Sequence, residues 1–172
     1  MNSIRKGEIF TMDNRLPNLR IEDARIIFRN FSGAETKYNR AGNRNFCVII
    51  DDADIAQQLS EAGWNVKTLA PRDDDEEPRY YIPAAVSFKN IPPKVFMICG
   101  GNKVSLDEES IGILDTSDII NVDVILRPYC WDLGNGKSGV KAYVKTMYVT
   151  IEQDEFADKY AEDECPEEDI PF

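Results

Sequence analysis

Three observations predict a mainly β fold with minor α content, rolled into a small mixed barrel and followed by a disordered acidic tail. Five to seven stretches rich in β-branched and aromatic residues stand against one or two helical ones. Short clusters of Gly, Asn and Asp join them. The last 21 residues carry ten acids and one lysine. At 172 residues with 42% hydrophobic content, the chain has material for one core and an appendage rather than two domains. The division expected is a folded domain over residues 1–151 and a flexible tail over 152–172.

Residues 1–19 show no clear period. Residues 22–31 (EDARIIFRNF) have the content of a first strand, after which Ser32-Gly33 and Ala41-Gly42-Asn43 are turn signals around a basic stretch. Residues 45–50 (NFCVII) form a buried-strand pattern ended by Asp51 and Asp52. Over 51–62 (DDADIAQQLSEA) the leading acids complement a helix dipole, Ile55 and Leu59 stand four apart, and Gly63 ends the run, so a short helix is expected. Residues 65–69 suggest a short strand. The acids of 72–78 (RDDDEEP) are of a kind that can hold Mg²⁺, but five in a row before a proline read first as a solvated loop.

Residues 79–89 and 94–99 read as strands parted by Ile91-Pro92-Pro93, with a turn at Gly100-Gly101-Asn102, a short strand over 103–106 and a helical turn within 107–114. The clearest strands are 119–131 and 140–151, joined by 132–139 (DLGNGKSG), a hairpin loop by composition. Strands long enough to curl, joined by short turns and interrupted by a helix, favour an OB-fold-like Greek-key barrel over a split barrel or a sandwich. Strand order beyond the hairpin does not follow from these patterns.

Composition removes whole classes of chemistry. There is no histidine, which excludes Ser-His-Asp and Cys-His nucleophile systems and every His-ligated metal site. Cys47, Cys99, Cys130 and Cys165 are far apart with no CxxC, so a thiolate zinc site is not expected; the first three lie in apolar strand-like stretches and read as small core residues. With no run of about 18 apolar residues and no basic-then-apolar leader, the expectation is a soluble, cytoplasmic protein without a membrane partner. No cofactor and no metal site is predicted.

The net charge of -11 hides its own distribution. The tail holds -9 and the body -2, and within the body the blocks alternate: +4 over 1–46, -7 over 47–78, +4 over 79–106, -6 over 107–123 and +3 over 124–151. A fold can therefore gather basic strands on one surface. Because side chains alternate across a strand, Arg127, Tyr129 and Trp131 share one face, with Val124, Leu126 and Cys130 opposite, while Lys141, Tyr143 and Lys145 share a face of the next strand. In the first strand Arg25, Ile27, Arg29 and Phe31 alternate, and the following turn adds Lys37, Tyr38, Arg40, Arg44 and Phe46. Rings that stack bases and cations that hold phosphates suit a single strand, whose bases a duplex would hide.

The candidate single-stranded DNA contacts are thus Arg29, Phe31, Lys37, Tyr38, Arg40, Arg44, Arg127, Tyr129, Trp131, Lys141, Tyr143 and Lys145, with cations on phosphates and rings on bases. The plainer alternative is that Phe31, Phe46 and Tyr143 pack in the core while the cations keep the sheet soluble. Trp64, beside Gly63 at the helix end, reads as core. Asp115, Asp118 and Asp123 could serve a metal-dependent nuclease, yet their pattern is that of a turn entering a strand, and the protein reads as no enzyme.

Most acidic tails are solubilising, but this one ends in Glu167-Glu168-Asp169-Ile170-Pro171-Phe172. That ending resembles the acidic-Ile-Pro-Phe tip of bacterial single-stranded DNA-binding proteins, and the resemblance implies recruitment of replication, recombination or repair proteins. Phe172 would fill an apolar pocket while its carboxylate meets a cation. In the body, Asn30-Phe31-Ser32-Gly33, Arg44-Asn45-Phe46, Gly63-Trp64-Asn65-Val66-Lys67, Asn90-Ile91-Pro92-Pro93-Lys94 and residues 141–148 (KAYVKTMY) resemble phage-encoded single-stranded DNA-binding proteins. The function these readings imply is sequence-independent coating of single strands, and a basic groove this modest leaves room for a second copy of the chain to complete it. The alternative from another class is an acidic interaction protein, a DNA mimic or host-factor inhibitor, without DNA affinity of its own.

Overall fold

The computed structural model describes residues 16–89 and 91–153. Its elements are β1 (Leu19–Ala24), β2 (Ile26–Asn30), β3 (Arg44–Ile50), α1 (Ala53–Ala62), β4 (Lys67–Leu69), β5 (Arg79–Val86), β6 (Lys94–Cys99), β7 (Asn102–Leu106), a 3-10 turn (Ile111–Asp115), β8 (Ile119–Asp132) and β9 (Ser138–Ile151). The mainly β character with one α-helix is as the patterns predict. The tail expected over 152–172, with its tip Glu167, Glu168, Asp169, Ile170, Pro171 and Phe172, lies outside the described residues apart from Glu152 and Gln153.

The nine strands among the described residues form one sheet in the order β1-β8-β9-β5-β3-β2, with β4 on β5, β6 on β9 and β7 on β6. Alternation fills its inner face: Phe46, Val48 and Ile50 from β3, Ile82, Ala84 and Val86 from β5, and Val122, Val124 and Leu126 from β8 are all buried. On β9 the buried set changes step, from Ala142 and Val144 to Met147 and Val149. A bulge opposite Ile125 and Leu126 causes it, leaving Lys145 outside the pairing and letting both halves of a 14-residue strand face the core.

The helix follows from its ends. Asp52 caps it, its carboxylate accepting from the N–H groups of Asp54 and Ile55 at 2.8 and 3.3 Å. Gly63, at φ 112°, closes it, and Trp64 N–H then returns to the Leu59 carbonyl at 3.0 Å. Ile55, Ala56 and Leu59 face inward, and Trp64 is buried in the core.

The first strand departs from expectation. It is two strands that turn at Arg25, with Asp23 at φ 52° and Phe28 at φ 54°. A non-glycine residue in that region costs about 1–3 kcal/mol. β1 pairs with β8 and β2 with β3, each with a register shift, so one short piece of chain serves both ends of the sheet. The Arg25 carbonyl accepts from Ile49 N–H at 2.9 Å at the turn. Among the described residues the sheet is not closed, since no ladder joins β1 to β2; its end strands are consecutive in the chain instead.

Candidate nucleic-acid interface

The last hairpin supplies the first wall. Its register sets Arg127 against Tyr143, Tyr129 against Lys141 and Trp131 against Gly139, so the two faces read separately from the sequence become one. The Tyr129 and Tyr143 rings meet edge to face, with centroids 6.1 Å apart. The Arg127 guanidinium and the Lys141 ammonium stand 5.4 and 5.1 Å from the centre of the Tyr143 ring, within cation–π reach. Trp131 lies on Gly139, where a Cβ would come within 2.6 Å of the ring, so only glycine allows the indole to rest there. Trp131 keeps 37% of its residue surface exposed and Tyr129 keeps 52%, leaving surface for a planar ligand. Lys145 is exposed beside them at the bulge.

The floor comes from β5. Because Ile82, Ala84 and Val86 point into the core, Pro83 and Ala85 point out, and neither carries a bulky side chain. Two hollows adjoin along this floor, both lined by Ala85 and Lys141. One, of 290 Å³, reaches Lys67, Pro83 and Trp131. The other, of 590 Å³, reaches Arg44, Asn45, Phe88, Lys89 and Tyr143. Together they make a trough with a small floor and aromatic and cationic walls.

The loop between β2 and β3 overlooks the second hollow. Its neck is pinned where Gly42 N–H donates to the Gly33 carbonyl at 2.8 Å, with Gly33 at φ 73°. Inside, Asn39 Nδ2 donates to the carbonyls of Ala34, Arg40 and Asn43, and its Oδ1 accepts from Asn45 Nδ2 at 2.9 Å. That network holds Lys37, Tyr38 and Arg40 outward; Tyr38 is 90% exposed, with Lys37 Nζ 5.8 Å from its centroid. Arg44, at the loop's end, lies over Phe88 at 5.7 Å and pairs with Glu108 at 3.5 Å, while its buried Nε has no hydrogen-bond partner among the described residues.

Two predicted contacts lie elsewhere. Phe31 is fully buried and stacked on Phe46 at 5.1 Å, so its ring belongs to the core and cannot meet a base. Arg29 donates to the carbonyls of Leu114 and Ser117 at 2.9 and 2.7 Å, fastening the end of the 3-10 turn, and it lines a different hollow from the trough. The positive φ at Phe28 is the physical reason, because it breaks the alternation on which both assignments rested. The pattern over residues 79–86 could have shown Pro83 and Ala85 as an outward floor. No local signal marks Asn39, Lys67, Phe88 or Lys89, which tertiary structure brings in.

Two of the three aspartates use their carboxylates in the fold, and the third is held through its backbone. Asp115 accepts from Phe31 and Ser32 N–H groups at 2.6 and 2.9 Å, Asp123 from Asp23 N–H at 3.0 Å, and the Asp118 backbone carbonyl from Glu152 N–H at 2.8 Å. Among the described residues no three His, Cys, Asp or Glu side chains form a group that could hold a metal ion. Nor is any described helix long and apolar enough to cross a membrane. The cysteines depart from the core reading, since Cys47 and Cys99 are half-buried and Cys130 is exposed, none of the three in a disulfide among the described residues. Burial pushes the Cys47 thiol up to about 11 against the opposing pull of Lys67, so it stays protonated at neutral pH.

A family described as “Putative phage ssDNA-binding domain” matches residues 10–171. No curated protein sequence matches. Among solved structures, a single-stranded DNA-binding protein from bacteriophage Enc34, as a C-terminal truncation, is similar with a TM-score of 0.51 at 10% identity, covering 80% of this chain and 87% of that one. The Enc34 protein in complex with ssDNA gives a TM-score of 0.43 at 12% identity, covering 77% and 85%. The former likeness is one of fold.

Proposed function

This chain belongs to the phage single-stranded DNA-binding domain family, and from that premise we propose that it coats single-stranded DNA without sequence preference, using the trough on the outer face of its open, OB-fold-like sheet. One observation carries the assignment to this face: the β8–β9 register that sets Arg127, Tyr129 and Trp131 against Tyr143, Lys141 and Gly139. Bases stack on the open surfaces of Trp131 and Tyr129, each stack contributing about 1–3 kcal/mol. Phosphates meet Arg127, Lys141 and Lys145, with Lys37 and Arg40 reaching over from the loop. A phosphate in the second hollow takes the place of Glu108 beside Arg44, engaging a guanidinium already held against Phe88. Rings and cations read no base edge, so affinity is tolerant of sequence.

The acidic residues 152–172 complete the reading. Their charge of -9 lets the segment compete with phosphates for the basic face, and the tip Glu167-Glu168-Asp169-Ile170-Pro171-Phe172 recruits replication, recombination or repair proteins in the host cytoplasm.

The test is a titration of labelled oligothymidylate and a duplex of equal length, at several salt concentrations with chelator present. The single strand should bind more tightly, with a log–log salt slope of about -0.7 per phosphate neutralised. Failure of the full-length protein and of a form ending at Gln153 to bind at low salt would overturn the proposal and favour a DNA mimic or host-factor trap. Cleavage of the strand on adding Mg²⁺ would establish a nuclease instead.

A further inference from the structure

Phe28 occupies a backbone position that suits glycine. Its φ of 54° lies in the left-handed region, inside the register shift between Ile27 and Asn30 of β2. The fold accounts for the irregular backbone, because it swings Arg29 to the Leu114 and Ser117 carbonyls and sends Phe31 inward. It does not account for the side chain. Glycine would make the same bend with less strain, yet the residue is phenylalanine, 62% exposed, and its one aromatic contact among the described residues is an edge-to-face approach to Tyr81 at 6.3 Å.

The ring's surroundings lead back to the trough. Tyr81 lies on the outward-facing side of β5 with Pro83 and Ala85, since Ile82 and Ala84 point inward. Lys67 of β4 pairs in register with Tyr81, is exposed, and also lines the 290 Å³ hollow with Pro83 and Trp131. A ring, a second ring and a cation therefore follow one another from β2 to the hollow that Trp131 borders.

We propose that Phe28, with Tyr81 beside it and Lys67 leading on from Tyr81 to the edge of the trough, is a second base-stacking position beyond the trough that extends the path of the single strand across β5 and β3 to β2. The proposal rests on the single-strand reading above. Its occupant is one unpaired base on the exposed Phe28 ring, with the adjoining phosphate at Lys67. A strand too short to leave the trough does not reach it.

The experiment uses full-length protein and its Phe28→Gly and Trp131→Ala variants, titrated with oligothymidylates of about 4 to 16 nucleotides, the span of site sizes for one such fold. Phe28→Gly should keep or raise the thermal midpoint, lower affinity for the longest oligomer about tenfold, and leave the shortest unchanged. Trp131→Ala should lower affinity at every length. Phe28→Gly with unchanged affinity throughout would overturn this position and leave the trough standing, as would a uniform drop, which would put the ring inside the trough's own site. A Phe28→Gly protein with a clearly lowered midpoint would make the ring structural and equally overturn it; Phe28→Asn, which also tolerates the left-handed backbone, checks that result. Wild-type protein that binds no length would instead sink the single-strand reading itself.

Discussion

The last hairpin and the first strand pair look alike in sequence and part ways in structure. Both alternate cations with rings: Arg127, Tyr129 and Trp131 in one, Arg25, Ile27, Arg29 and Phe31 in the other. In the hairpin the backbone around these residues is regular, the alternation survives, and its register adds Lys141 and Tyr143 to the same face. In the first pair, Asp23 and Phe28 take positive φ, the strand turns at Arg25, and the alternation fails. Phe31 then enters the core, Arg29 holds carbonyls, and Phe28, which the pattern passes over, faces out. A period of two assigns faces only while each residue keeps an extended backbone.

The two aromatic residues give the sharpest way to break this contrast. Phe31→Ala should cost about 3–5 kcal/mol of stability, read by urea denaturation, because it empties core space against Phe46. The fraction still folded should bind oligothymidylate as wild type does; unchanged stability with weakened binding would place Phe31 on the surface after all. Trp131→Ala should show the opposite split, losing about 2 kcal/mol of binding, or roughly thirtyfold, at a nearly constant urea midpoint.

The two arginines sharpen the contrast at a smaller scale. Arg29→Met should cost about 1.5 kcal/mol of stability through its lost carbonyl bonds and leave the salt slope of binding alone. Arg127→Met should reduce the magnitude of that slope by about 0.7 if it meets one phosphate, while unfolding stays near wild type. An interchange of these two behaviours would reverse the roles assigned to the two regions.

The smallest effect concerns pH. Asp107 accepts hydrogen bonds from the Ser110 side chain, the Ser110 N–H and the Glu109 N–H, and the Ser110 side chain above all holds its carboxyl below the usual value. Its contribution is present above the unfolded pKa, about 3.9, and is lost as pH falls through the lowered folded value. Hydrogen exchange over residues 107–115, which fasten the first strand pair, should therefore quicken in that window before exchange in the β8–β9 hairpin does. Simultaneous quickening in both would deny the Asp107 turn any separate part.

Most elements were legible in the residues. The helix announced itself through Asp52, the Ile55 and Leu59 spacing and Gly63, and its ends fall within two residues of the expected span. The long strands and their hairpin followed from β-branched runs around a Gly-rich turn. Of the site, Arg127, Tyr129, Trp131, Lys141 and Tyr143 were legible as faces because their spacing is local. Asn39 was not, since its use is to tie together three carbonyls of a loop, and nothing in neighbouring residues encodes that geometry. Lys67, Phe88 and Lys89 enter only through strand order.

What the sequence by itself determined is therefore local: which stretches are strands, where the helix starts and stops, which classes of nucleophile and metal site are absent, and that the charge divides into an acidic end and alternating blocks. Each depends on residues within a few positions of one another, where backbone preference and side-chain period act directly. Tertiary structure decided the rest: that β5 lies parallel to β9 so Pro83 and Ala85 become a floor, that a bulge puts Lys145 outside the pairing, and that a left-handed turn exchanges Phe31 for Phe28 at the surface. Those outcomes depend on which distant strands pair and in what register, and a shift of one residue there turns a binding face into a core.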